Sequence, residues 1–246
     1  DKIYILQDTN KIQEGRFGML PDILDNFLNK IDKNKINIKN HYLVNTIPYY
    51  FFKYGVKSSL HPFIEALSNI YDIDADNIKK KLINILEKDN KDILFTSLDS
   101  GNIKTQFKSR ELYIEFIKNN NYLEYDVLGD FISKPGVLSN NGINFFIFEK
   151  KSVVIKKTLE KKKIIDDYNL LCTNYEDNLY KYDETRDNII LLKDNKIFYP
   201  IFVINKQNLD EEVTINRIFK KYKNIDKCVE FYKLGCNRES TSKFNK

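Results

Sequence analysis

Chemically reactive side chains are few in this 246-residue chain, and their spacing limits what they can form. There are two histidines, His41 and His61, and three cysteines, Cys172, Cys228 and Cys236, with no Cys-x-x-Cys pair. Such a set does not assemble the four N/S ligands of a structural zinc site. An odd, widely spaced group of thiols fits a reducing compartment. Cys172 and Cys228 sit among apolar neighbours, where a thiol serves as a small core residue rather than a nucleophile. The sequence contains no Gly-rich phosphate loop, no Gly-x-Ser-x-Gly turn and no His-Glu-x-x-His helix, so no cofactor is expected. One pattern does suit metal chemistry. Glu149-Lys150-Lys151 closes an apolar run. There Glu149 could hold a divalent ion, with Asp130 as the partner carboxylate and Lys151 stabilising charge that develops on a phosphodiester. Acid-x-lysine spacing also arises by chance in so lysine-rich a chain, and Asp130 reads more simply as a helix residue. A metal-dependent nuclease is therefore the alternative reading, and a chain without a metal the preferred one.

The stronger signal is charge density. Lys150, Lys151, Lys156, Lys157, Lys161, Lys162 and Lys163 fall within 14 residues, with Glu160 among them and Glu149 at the edge. That many ammonium groups repel one another unless solvated or paired with an anion. They suit either a solvated sheet edge or sequence-independent contact with the phosphates of DNA or RNA. A second basic stretch holds Arg217, Lys220 and Lys221. The net charge of +5 is by itself too small to define a partner. Aromatic content is high, with 17 Phe, 16 Tyr and no Trp. The abundance of Lys, Asn and Ile is what an A/T-rich genome encodes.

The elements that must carry these residues follow from periodicity. Ile3–Leu6 reads as a short strand, and the turn at Gly15–Gly18 leads to a helix over Asp22–Ile31 with Pro21 at its start. Residues 32–40 read as a polar loop and 41–57 as an apolar, aromatic stretch. Ser58 and Ser59 are candidate caps for a helix carrying Pro62 in its first turn, and Asp74 caps an amphipathic helix to about Glu87. Further helices are expected over 91–98, 109–119 and 125–133. Ile143–Phe148 then reads as a buried strand, with Val153–Ile155 pairing against it. Ile189–Leu192 and Ile197–Ile204 form a hairpin about the tip Asp194-Asn195-Lys196. Residues 209–235 close the chain as a helix, with Gly235 as its stop. The expected class is α+β. It is a single domain over 1–246, with a helix-rich part (1–135) packed on a small mixed or antiparallel sheet from a strand-rich part (136–205). No apolar run approaches the roughly 20 residues of a membrane span. The start at Asp1, directly before an apolar stretch, reads as a piece cut from a longer chain.

A series of phrases then recurs in order: Gly15-Arg16-Phe17-Gly18-Met19-Leu20-Pro21, Phe52-Lys53-Tyr54-Gly55-Val56 and Pro62-Phe63-Ile64-Glu65-Ala66-Leu67. After these come Gly142 to Glu149, Tyr182-Asp183 with Arg186, Ile189 to Lys193, and Tyr199-Pro200-Ile201-Phe202. From about 12 to 205 the chain resembles giant-virus homologues of the poxvirus early transcription factor large subunit. The resemblance implies a non-catalytic module of a viral transcription initiation factor. Its partners would be promoter DNA, a helicase-like small subunit and the viral RNA polymerase. It would be found in host cytoplasm or the viral factory and be packaged in virions. A fainter likeness, in element order alone, is to the ovarian-tumour class of cysteine proteases. There the nucleophilic Cys position falls on Pro62 and the base His position on Phe198, so the likeness implies a catalytically dead, protein-binding fold.

Overall fold

Apolar residues run without alternation through Phe145–Phe148, Ile189–Leu192 and Ile201–Ile204, and such runs require a sheet covered on both faces. The computed structural model has this arrangement. It describes residues 5–6, 12–29, 49–119, 122–158, 161–171, 175–176, 179–180, 182–205, 214–219, 226–233 and 242–243. The fold is α+β. In chain order the elements are β1 (Ile5–Leu6), β2 (Phe17–Gly18), α1 (Asp22–Leu28), β3 (Tyr49–Tyr54), α2 (Pro62–Tyr71) and α3 (Ala75–Glu87). There follow α4 (Ile93–Ser97), α5 (Asn102–Phe107), α6 (Arg110–Asn119) and α7 (Tyr125–Ser133). The later part holds β4 (Ile143–Thr158), β5 (Lys161–Leu171), β6 (Tyr175–Glu176), β7 (Leu179–Tyr180), β8 (Asp187–Asp194) and β9 (Ile197–Asn205). It ends with β10 (Thr214–Asn216), α8 (Asp226–Lys233) and β11 (Ser242–Lys243).

Among the described residues nine strands form one mixed sheet in the order β1-β2-β3-β9-β8-β4-β5-β11, with β10 also pairing with β9. β4 and β8 run parallel, as do β1 and β2, and the other pairs are antiparallel. Side chains alternate across the strands. Phe145, Ile147, Ile189, Leu191, Phe198 and Phe202 face a core built with α2, α3, α6 and α7. Phe146, Phe148, Ile190, Leu192, Tyr199 and Ile201 face a second core that takes in Leu24 and Leu28 of α1, Cys228 of α8 and Phe219. The sheet is therefore neither small nor drawn only from the C-terminal half. β3, from the helix-rich part, lies beside β9 in its interior.

Other expectations are corrected in detail. Val153–Ile155 does not pair with Ile143–Phe148, because both lie on the one strand β4; its partner is β5, with Val153 opposite Ile165. The closing segment is not one helix over 209–235. Thr214–Asn216 extends the sheet against β9, and among the described residues of this segment the helix is Asp226–Lys233. The cap expected from Ser58 or Ser59 is indirect: His61 occupies the N-cap of α2, and Ser59 Oγ accepts from the His61 N–H at 3.0 Å. The Asp74 cap is present, with its carboxylate accepting from the amides of Asp76 (2.9 Å) and Asn77 (3.4 Å). Asp74→Ala is expected to cost about 1 kcal/mol in a urea melt, since two amides at the helix start lose their acceptor. The loop at 32–40, Ile31, His41, Cys172 and Cys236 lie outside the described residues.

A buried polar tie fixes α1 to β3. Asp25 accepts from Asn29 Nδ2 at 2.6 Å and from the Tyr50 hydroxyl at 2.7 Å. Asn29 in turn accepts from the Phe51 amide at 2.7 Å and donates to its carbonyl at 3.2 Å. Burial and the neighbouring Asp25 push the Tyr50 hydroxyl far above its ordinary range, so it remains the donor in this tie.

Candidate functional site

The lysine cluster is placed by a feature of the sheet that periodicity alone does not reveal. β4 is 16 residues long, but its parallel neighbour β8 accompanies it only as far as Glu149 opposite Lys193. On the far side, β11 meets β5 only at Asn169 and Leu170. Beyond these points, 150–158 and 161–168 continue as a two-stranded antiparallel arm, with no third strand among the described residues. At about 3.3 Å per residue the arm is on the order of 25 Å long.

Charge along this arm is polarised. Near its base Lys150 Nζ lies 3.1 Å from Asp166 and 3.5 Å from Asp194, and Lys151 pairs with Glu149 at 3.4 Å. Partial burial alone would lower the Lys150 pKa, but Asp166 and Asp194 more than reverse this and hold the ammonium charged. At the distal end the register sets Lys156 opposite Lys162 and Thr158 opposite Lys161. Lys157 falls at a register shift of the bulge type, and Lys163 stands opposite Ile155. A two-stranded ribbon of this kind also fits the roughly 12 Å wide major groove of duplex DNA.

The second basic group is not brought together on a helix. Arg217 follows β10, where its guanidinium donates to the Asn69 carbonyl at 2.9 Å and lies 5.8 Å from the Phe202 ring centroid. Lys220 and Lys221 lie outside the described residues. The nuclease residues occupy separate places. Asp130 on α7 accepts from the Asp99 amide at 2.8 Å and pairs with Lys134 at 3.1 Å. Glu149 on β4 pairs with Lys193 at 3.1 Å and with Lys151. Among the described residues no group of three or more His, Cys, Asp or Glu side chains could hold a metal ion.

Pro62 and Phe198, the positions given by the protease-like element order, lie on elements that pack together. The rings of Phe63 and Phe198 are 5.4 Å apart. Neither Pro62 nor Phe198 carries a nucleophile or a base. Cys228 is fully buried, and burial drives its thiol pKa far up. A thiol so placed is inert. Iodoacetamide followed by peptide mass spectrometry is therefore expected to leave Cys228 unmodified in native protein at pH 8 and to label it in urea. Rapid native labelling would show that α8 does not stay docked.

Beside Pro62 the structure has a cleft of about 670 Å³ between the segment 56–60 and the start of β9. Sequence reading missed it. Its one legible signal was Pro200, which interrupts the donors of an otherwise apolar strand.

The fold and the arm thus define a mixed α+β module with a lysine-tipped ribbon. A similar protein is the "Uncharacterized protein R327" of Acanthamoeba polyphaga mimivirus, 40% identical over 244 residues. The match takes in 97% of this chain and 15% of the mimivirus protein, so the chain spans a minor part of the length of that relative. The chain thus has a giant-virus homologue. No protein-family model matches the chain. No solved structure matches it either. No helix among the described residues is long and apolar enough to cross a membrane.

Proposed function

We propose that this chain is a non-catalytic, DNA-contacting module of a giant-virus early transcription initiation factor. The observation that carries the DNA contact is the two-stranded arm, neutralised by acids at its base and set with Lys156, Lys157, Lys161, Lys162 and Lys163 at its end. Ammonium groups on such a ribbon anchor phosphates and carry no base readout, so the contact is electrostatic and independent of sequence. The assignment to an initiation factor rests on the ordered phrases between 12 and 205. The mimivirus relative agrees with the virus group that this resemblance implies. In this reading the helicase-like small subunit and the viral RNA polymerase are partners of the assembled factor.

Titration of the chain against labelled AT-rich duplex DNA across a salt series tests the proposal. The expected result is micromolar binding at low salt, weakening linearly in log affinity against log salt. Absence of binding at low salt removes the direct DNA role. Cleavage of the duplex on adding Mg²⁺ or Mn²⁺, abolished by Glu149→Gln, would establish the nuclease reading in its place.

A further inference from the structure

The cleft beside Pro62 opens where β3 parts from β9. β3 pairs with β9 from Tyr49 opposite Asn205 to Lys53 opposite Ile201. The chain then turns away, and Gly55 pairs with the turn before β2, donating to the Arg16 carbonyl at 2.8 Å and accepting from the Gly15 amide at 3.0 Å. A side chain at position 55 would collide with the Gln13 carbonyl, so glycine permits this close approach. The segment 56–60 beyond it has no regular structure and makes no backbone–backbone hydrogen bond among the described residues. It stands off from the start of β9, and the space between them is about 670 Å³, within the range of small-molecule sites.

The lining separates by depth. Ile12, Val56, Pro62 and Tyr199 are buried and give the cleft an apolar floor. Glu14, Lys57, Ser58 and Lys196 also line it but are exposed, so they form its rim. Leu60 shares this rim at 64% exposed, an aliphatic side chain that folding leaves uncovered. Lys196 is held over an aromatic wall: its Nζ lies 5.1 Å from the centroid of the Tyr122 ring, which lines the cleft as well. Lys57 comes from the other side, on the segment 56–60. Neither Lys57 nor Lys196 makes an ion pair among the described residues, unlike Lys150 and Lys151 at the base of the arm. Two cations therefore stand at the rim against one acid, Glu14, above a floor that favours hydrocarbon.

We propose that this cleft is a binding site for a small apolar or aromatic molecule bearing one acidic group. The hydrocarbon body lies on Val56, Pro62, Ile197 and Tyr199 and covers Leu60, and the anion meets Lys57 and Lys196. Burial of the body supplies the affinity. The excess of positive charge selects an anion over a neutral or cationic molecule of the same shape. This inference is independent of the DNA reading, since it uses neither the arm nor its lysines.

The test uses the whole 246-residue chain and 8-anilinonaphthalene-1-sulfonate, an aromatic monoanion whose fluorescence rises in apolar surroundings. Saturable enhancement is expected, with shifts of the Leu60 and Ile197 methyl resonances and none at Ile93, which is 67% exposed on α4. The Lys57→Gln/Lys196→Gln pair should weaken the sulfonate about tenfold. It should leave N-phenyl-1-naphthylamine, the same rings without the anion, unchanged. Leu60→Asp should weaken both probes. Lys57, Leu60 and Lys196 are exposed, so these variants should keep the urea midpoint of the unsubstituted chain. Displacement of the sulfonate by naphthalene-2-carboxylate or by 2-naphthyl phosphate supports the site, and the tighter competitor names the acidic group. An equal loss of both probes in the lysine pair overturns the place of the anion. No saturation up to millimolar probe, or enhancement unchanged in all three cleft substitutions, overturns the site. So does enhancement that is lost when Lys156, Lys157, Lys161, Lys162 and Lys163 become glutamine, which assigns the probe to the arm.

Discussion

Replacing Lys156, Lys157, Lys161, Lys162 and Lys163 together with glutamine is expected to lower duplex affinity roughly fifty- to a hundredfold at about 0.1 M salt and to flatten the salt dependence. Each lysine on a phosphate contributes about 0.9 to the slope of log affinity against log salt, so two simultaneous contacts give this loss. All five residues stand at the far end of the arm, beyond the reach of β8 and β11. The loss should be similar for AT-rich and GC-rich duplexes, because phosphate contacts carry no sequence information. The internal control is the pair nearest the base. Lys150 is held by Asp166 and Asp194, and Lys151 by Glu149. Glutamine at these two positions is expected to change affinity by less than about threefold, because their charge is already matched. An unchanged slope in the five-residue variant would sink the assignment of the arm. A loss confined to Lys150 and Lys151 would move the contact to the sheet edge.

Phe63→Ala is expected to destabilise the fold by about 3–5 kcal/mol, a large part of the roughly 5–15 kcal/mol that holds a domain together. Phe63 is fully buried in the second residue of α2. Its ring meets Phe145 at 5.7 Å, Phe198 at 5.4 Å and Tyr125 at 6.4 Å, so one side chain joins α2, α7, β4 and β9. Truncation leaves a cavity that four elements would have to shift to fill. The midpoint of a urea melt should fall with little change in its slope, since the same surface is exposed on unfolding. Leu112→Ala is the matched control. Leu112 is 50% exposed on α6, and its loss should stay within about 0.5 kcal/mol. A Phe63→Ala protein as stable as the control would mean that α2 is not seated on the sheet.

Much of the local structure was legible because its causes are local. Asp74 has amides to cap, α7 starts and stops as expected at Tyr125 and Ser133, and the turn between Asp194 and Ile197 has Asn195 at positive φ. Apolar runs such as Ile143–Phe148 announced strands covered on both faces. Elements whose partners are distant were not legible. β5 begins Lys-Lys-Lys and carries Asp166 and Asp167, a composition that propensity assigns to a loop, and it becomes a strand only through the ladder offered by β4. Thr214–Asn216 lies in a segment with helical spacing, yet it pairs with the free side of β9 where β8 diverges. A ladder of backbone bonds overrides a weak local preference.

The same division holds for the candidate sites. The residues alone determined that charge is concentrated between Lys150 and Lys163 and that helices and buried strands share one chain. Only the tertiary structure decided that Lys150 and Lys151 meet acids at the base of a two-stranded arm, that Lys156, Lys157, Lys161, Lys162 and Lys163 fall along its far end, and that β3 parts from β9 after Lys53. The physical reason is that periodicity reports which face a residue takes within its own element. Neither the partner across a ladder nor the point at which a neighbouring strand ends is written in that period.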